Sequence, residues 1–325
     1  MRRDRLEVGL EREYGLSAWT GDTVAYLLAG ERLLARFAAH VDADAARRDR
    51  WRLLTAAGWR LAPEYSRCLV ELASPPVPRD GWAELLDGFA CVEAWLADAA
   101  AALTAGSPFD RVEYTAAYSL RTDRFVTWDG APVTALPGLL LDPTDANWLC
   151  GPPDDAPPCF AGAAPALGYA GFTSTHCTLH PPIAGRDLDA RAAALATYYW
   201  RLLGAAHALD AGAPQRHPLL RGGRIPVAPD PDRSIRDALI RWGDPATAAL
   251  LAGLAADAGP PLARFVALFG QPPGEAFAAP GFHAYSCRPR VVDATMLFEL
   301  RCFHSGLPLA DLAPLLDVAA TLPDG

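Results

Sequence analysis

The sequence predicts an α+β fold with one sheet covered by helices on a single face and open on the other. Two observations carry this. Short segments alternate apolar and polar residues with the period of a strand. Long amphipathic helical segments separate them, and hairpin-like neighbours are scarce.

The first strand is expected over Leu6–Gly15, with Leu6, Val8 and Leu10 on one face and Gly9, Glu11 and Glu13 on the other. Apolar residues then recur at helical spacing from Thr23 to His40. The segment "SRCLVELASPP" reads as a strand over Cys68–Ala73, stopped by Pro75 and Pro76. Gly81–Ala105 is a strong amphipathic helix through Trp82, Leu85, Leu86, Phe89, Val92, Trp95 and Leu96. Residues 107–170 are Pro/Gly-rich and read as long loops or a lid, with a short strand near Val112–Leu120. Thr173–Leu179 is a strand and Asp187–Leu209 a helix, followed by an arginine-rich loop. Asp237–Ala256 and Pro261–Phe269 are helical, Ala294–Phe303 is a strand, and Leu309–Leu322 closes the chain as a helix.

Composition limits the function. The 325 residues are 51% hydrophobic, enough for a sizeable core, and fit a single domain over 1–325. No run of about 18 apolar residues predicts a membrane span, and the charged start "MRRDRLEVGLERE" is unlike a signal peptide. A cytoplasmic protein is expected. The seven cysteines form no C-x-x-C pair, so reduced thiols are expected rather than disulfides or a zinc site. A net charge of −9 argues against a nucleic-acid partner. The chain contains no lysine; its 29 basic residues are all arginines. That excludes the Walker-type phosphate loop, the protein-kinase strand lysine and a pyridoxal Schiff base.

Four strands share one peculiarity. "GLEREYGL" offers Glu11 and Glu13, "PEYSRCLVELASPP" offers Glu64 and Glu71, "FTSTHCTLH" offers His176, and "TMLFELRCF" offers Glu299 and Arg301. In three of them the opposite side is apolar: Leu6/Val8/Leu10, Cys68/Val70/Leu72 and Met296/Phe298/Leu300/Cys302. Any one strand glutamate is ordinarily a solvated side chain, and a lone histidine is ordinarily a hydrogen-bonded one. If the faces align, however, several carboxylates and an imidazole converge and repel unless cations neutralise them. Oxygen-rich donor sets of this kind suit Mg²⁺ or Mn²⁺.

The motifs "GLEREYGL", "LVELASPP", "THCTLH", "CRPR" and "FELRCF" resemble, in order, those of the glutamate–cysteine ligase family. They are most similar to its bacterial carboxylate–amine ligase branch and, more remotely, to glutamine synthetase. The resemblance spans Val8 to about Asp311, and the first motif and "FELR" are its specific parts. It implies a curved, mainly antiparallel sheet forming a funnel-shaped active site, with helices on the convex face. It implies ATP and Mg²⁺ (or Mn²⁺), phosphorylation of a substrate carboxylate, and displacement of phosphate by an amine. The partners would be an amino-acid or other carboxylic-acid substrate and an amine; the oligomeric state stays open, a homo-oligomer included.

Carried over residue by residue, Glu11, His176 and Glu299 would hold the metal that bridges the ATP phosphates. Glu13, Glu64 and Glu71 would hold the metal near the acceptor carboxylate. Arg301 would neutralise the transferred phosphoryl group, and Arg288 would clamp phosphate or a substrate carboxylate. Arg221 and Arg224, in "RHPLLRGGRIP", stand where related enzymes grip the nucleotide, though a solvated basic loop reads equally well. The chain departs from the family after "FELR", where His304 stands in "CFHSG" in place of a usual aspartate. Two other readings stay open: a diverged nucleotide-binding relative without catalysis, and a guanido-kinase-like phosphotransferase of the same fold. A zinc site from His176, Cys177 and His180 is disfavoured, because neighbouring residues on a strand face opposite sides.

Overall fold

A computed structural model of the chain describes residues 5–115, 124–135, 138–141, 173–184, 187–211, 249, 253, 256, 262–266, 287–292, 294–304 and 306–321. It is a mixed α+β structure built on one strongly curled, open sheet, a half-barrel. The strands in chain order are β1 Glu7–Thr20, β2 Thr23–Leu27, β3 Arg60–Pro63, β4 Leu69–Ala73, β5 Val77–Pro78, β6 Arg111–Thr115, β7 Phe125–Val126, β8 Pro132–Val133, β9 Ser174–His180, β10 Cys287–Val292 and β11 Thr295–His304. The helices are α1 Gly30–Asp42, α2 Ala45–Ala56, α3 Trp82–Leu103, α4 Ala192–Ala211 and α5 Ala313–Ala319.

Strand β1 is the spine. Its residue Glu11 pairs with Ala73 of β4 on one edge and His176 of β9 on the other. Further along, Gly15 pairs with both Leu69 of β4 and Thr115 of β6, and Ser17 with both Tyr26 of β2 and Glu113 of β6. One edge is therefore lined by β5, β4 and β2, and the other by β9 and β6. From β9 the sheet continues through β11 to β10. Among the described residues every strand pairing is antiparallel except β2 with β7.

Alternation along β1 decides the layers. Leu6, Val8, Leu10, Tyr14 and Leu16 are buried in one continuous apolar cluster. Met296, Phe298 and Leu300 of β11 join them, as do Leu33 and Phe37 of α1 and Leu85, Phe89, Val92 and Leu96 of α3. Tyr198, Tyr199 and Leu202 of α4 and Leu315 and Leu316 of α5 complete it. The tyrosines bury their rings and satisfy their hydroxyls: Tyr198 donates to Ala319 O at 2.6 Å and Tyr199 to Cys287 O at 3.2 Å. Arg79–Gly106, which contains α3, is long and apolar enough to meet the criteria for a membrane span. One face of α3 is nevertheless part of this cluster.

The structure corrects several expectations. Thr23–His40 is a strand and then a helix: β2 hairpins back onto β1 through Gly21, whose φ of +56° suits a residue without Cβ. The pairs β1–β2 and β10–β11, and β3 with the nearby β4, show that close antiparallel neighbours are not scarce. Helix α2 was missed because it is arginine-rich and buries only Leu54. Its readable signal is Asp44, whose carboxylate caps the Arg47 N–H at 2.8 Å. β4 does end at Ala73, before Pro75 and Pro76 as expected, and a separate short strand, β5, then pairs beside Val8. The expected Asp237–Ala256 helix lies almost wholly outside the described residues, and 262–266 are helical within the expected Pro261–Phe269. Of the lid expected over 107–170, the described parts hold β6, β7 and β8.

Gly88 of α3 lies against the Trp59 ring: a Cβ there would come within 2.5 Å of it. Gly88→Ala is expected to destabilise by about 1–3 kcal/mol despite the better helix propensity of alanine. Urea denaturation should show this as a lower midpoint, and Trp59→Leu in the same chain should recover most of the loss.

Candidate active site

Directly paired residues share a face, so the register turns the sequence pattern into rows. His176 of β9, Glu11 of β1, Ala73 of β4 and Arg60 of β3 form one row across four strands. Glu13, Glu71 and Ala62 form the next. On the other side of the first row lie Gly9, Thr178, Glu299 and the backbone of Arg288. The face opposite the core thus carries acids interleaved with small residues. At Gly9 a Cβ would meet nothing closer than 3.8 Å, so glycine there simply leaves space.

Glu11, Glu71 and His176 come together. One ligand atom from each lies within 4.8 Å of the other two. His176 is buried between two acids: its Nδ1 is 3.5 Å from Glu11 Oε2 and its Nε2 is 3.9 Å from Glu13 Oε1. Glu13 is only 4% exposed and Glu299 is also buried. Glu64 precedes β4, half-buried, and acts on Glu71 through its charge. The Glu71 carboxyl is pushed up to about 8, first by burial, then by Glu11 and Glu64, with Glu299 adding to the rise; Arg60 opposes it. Three further carboxylates therefore reach this one group electrostatically.

The grouping differs from the one the sequence suggested. Glu71, assigned to the second metal, closes a triad with Glu11 and His176, while Glu299 sits one row away opposite Thr178. For Arg288 and Arg301 only the backbone is described: Arg288 pairs with Glu299, and Arg301 lies in the irregularity between Leu300 and Phe303. Beyond that irregularity Phe303 is buried in the core cluster. The simple alternation along the strand breaks between Leu300 and Phe303. Arg221 and Arg224 lie outside the described residues. Cys68 and Cys177 are buried, and burial raises both thiols to about 12, in keeping with unreactive structural cysteines.

Sequence reasoning missed two arginines at the acid face and the partners of a third, Arg12, which alternation places on the opposite side of β1. Arg60 approaches Glu71 at 3.9 Å and Arg290 approaches Glu299 at 3.6 Å. Arg12, between the two β1 acids, points into the core. It donates to Glu93 of α3 at 2.9 Å and to Leu307 O at 2.9 Å, and Tyr14 donates to the same Glu93 oxygen at 2.9 Å. Burial, then the Glu93 charge, hold the Tyr14 hydroxyl well above its ordinary range. A charged residue on the apolar face of β1 was the readable sign that a partner had to lie beneath it. The clamp ties β1, α3 and the segment after β11 into one unit.

Comparison with protein-family models, with curated proteins and with solved structures finds no match to this chain.

Removing one partner of the clamp leaves a charge without compensation. Arg12→Met is expected to cost about 3 kcal/mol, and the Arg12→Met/Glu93→Leu pair markedly less; thermal and urea unfolding of the two variants check this. The raised Glu71 group also sets a pH dependence. Its stabilising contribution is fully present below the usual value of 4.5 and is lost as pH rises through about 8. In the metal-free protein, Glu71→Gln should therefore flatten the decline in stability over that interval, as read by denaturant titration at several pH values.

Proposed function

We propose that this chain is an ATP-dependent carboxylate–amine ligase, similar to the glutamate–cysteine ligase family. The observation that supports it is the convergence of Glu11, Glu71 and His176 within 4.8 Å, with Glu13 and Glu299 on the same sheet face. Burial of so many acids is costly unless cations accompany them. The donor set is mostly carboxylate oxygen with one imidazole, which fits Mg²⁺ or Mn²⁺ better than a soft metal. In this reading Glu11, Glu71, His176, Glu13, Glu64 and Glu299 hold the cations. When bound, the cations neutralise the phosphates and the acceptor carboxylate so that two anions can meet.

A carboxylate is a poor acyl electrophile. Its oxygen would attack the γ-phosphorus of ATP and displace ADP, giving a mixed anhydride. The amine would then attack the acyl carbon, forming the amide and releasing phosphate. The protein's part is to position and to shield charge. Glu13 and His176, both nearly buried, would fix the inner end of the site. Arg288 and Arg301 would meet the phosphoryl oxygens, a role suited to the guanidinium fork. The acid face would form the inner wall of a funnel, and the helices would cover the convex side.

The test is ADP release that depends on both a carboxylic acid and an amine, screened over amino acids. Glu11→Ala and Glu299→Ala should each lower it by at least about 100-fold; full activity in both would remove the metal assignment. Turnover with a guanidino acceptor and no carboxylic acid would favour a guanido-kinase-like phosphotransferase instead. Nucleotide binding without turnover would favour a non-catalytic relative.

A further inference from the structure

The charges on the acid face are layered by depth. Glu71 and Glu299 are nearly buried, with side chains 13% and 11% exposed. The arginines that approach them are not: Arg60 is 68% exposed and Arg290 is 40% exposed. Both separations, 3.9 and 3.6 Å, are longer than a hydrogen bond, so the guanidinium groups are attracted without being locked. The two arginines come from different parts of the sheet: Arg60 from β3, in the His176–Glu11–Ala73 row, and Arg290 from β10, diagonal to Glu299. Acids lie at the floor and cations at the rim.

Resting on the metal-dependent reading above, we infer that Arg60 and Arg290 are displaceable counter-ions that become the site's oxyanion receptors. Without a divalent cation, each guanidinium partly neutralises the carboxylate below it. A cation bound at the carboxylates takes over that neutralisation and repels the arginines. Their long, solvated side chains are then free to grip an anionic group, a phosphoryl or a carboxylate, lying above the metal. Glu71 and Glu299 thus serve first as partners of arginine and then as partners of metal, and each arginine exchanges a protein carboxylate for a substrate oxyanion. No bond is made or broken in this exchange.

The inference makes two predictions of opposite sign, which a merely structural role does not. Titration calorimetry with Mn²⁺ alone should show Arg60→Ala and Arg290→Ala binding the metal about threefold more tightly than the unaltered chain, because a competing cation is gone. Titration of the Mn²⁺-loaded protein with inorganic phosphate, and separately with glutarate, should show binding of at least one weakened by about tenfold in each variant. Loss toward phosphate assigns that arginine to the nucleotide end, and loss toward glutarate to the acid end. Arg60→Lys should restore the metal affinity, since charge is kept, but recover the oxyanion only in part, since the fork is lost. Both arginines are at least two-fifths exposed, so the variants should melt close to the unaltered protein. Metal affinity unchanged or weakened in the variants overturns the counter-ion role, as does unchanged binding of both anions. Failure of the unaltered chain to bind Mn²⁺ overturns the ligase reading and this inference together; normal Mn²⁺ binding with no response to either substitution overturns this inference alone.

Discussion

Strand β1 is hydrogen-bonded along both edges for most of its length, and the positions of the candidate ligands follow from that ladder. A strand paired on both sides has no freedom to slip. A shift of one residue would move Leu6, Val8 and Leu10 out of the core and drive Glu11 and Glu13 into it. The apolar face therefore holds the acids in place as firmly as any direct contact to them. The neighbouring strands inherit this register: Ala73 and Glu71 are placed by β1 on one edge, His176 and Thr178 on the other.

Arg12 shows how the two faces are linked. Only one residue separates Glu11 from Glu13, and its side chain must enter the core side. A bulky apolar residue would have served for packing alone. The guanidinium instead joins β1 to α3 through Glu93 and to the segment after β11 through Leu307 O. The strand carrying Glu11 and Glu13 is thereby tied to the end of the strand carrying Glu299, although they are separated by almost the whole chain. Polar satisfaction beneath the sheet supports the arrangement of charge above it.

Much of this was legible in the residues. The alternation in β1, β4 and β11 identified both faces, and the apolar spacing from Leu85 to Leu96 located α3. What could not be read was pairing. Nothing in "GWRLAPEY" states that Arg60 lies opposite Ala73, or that Glu71 rather than Glu299 comes within reach of both Glu11 and His176. Those facts depend on long-range register, which local pattern does not encode. The alternation also failed where the ladder did: the irregularity after Leu300 puts Phe303 into the core against the parity of the preceding residues. Helix α2 escaped notice because it buries only Leu54 and so shows no amphipathic stripe; its strong local signal is the cap at Asp44.

The place of β1 in the chain has a consequence for synthesis. Once β1 has left the ribosome, its Glu7–Arg12 edge waits for β9, some 165 residues later. At about 5–20 residues per second that edge stays open for roughly 10–30 s. An open strand with a row of apolar side chains is a template for pairing with another nascent chain. Glu7, Glu11, Arg12 and Glu13 interrupt the apolar run along that edge, and charges in such a position act as gatekeepers against aggregation. Selection for a soluble nascent chain and selection for a charged site would then act on the same few codons, so that replacing Glu11 or Glu13 with apolar residues would be penalised even in a descendant that no longer needed the site.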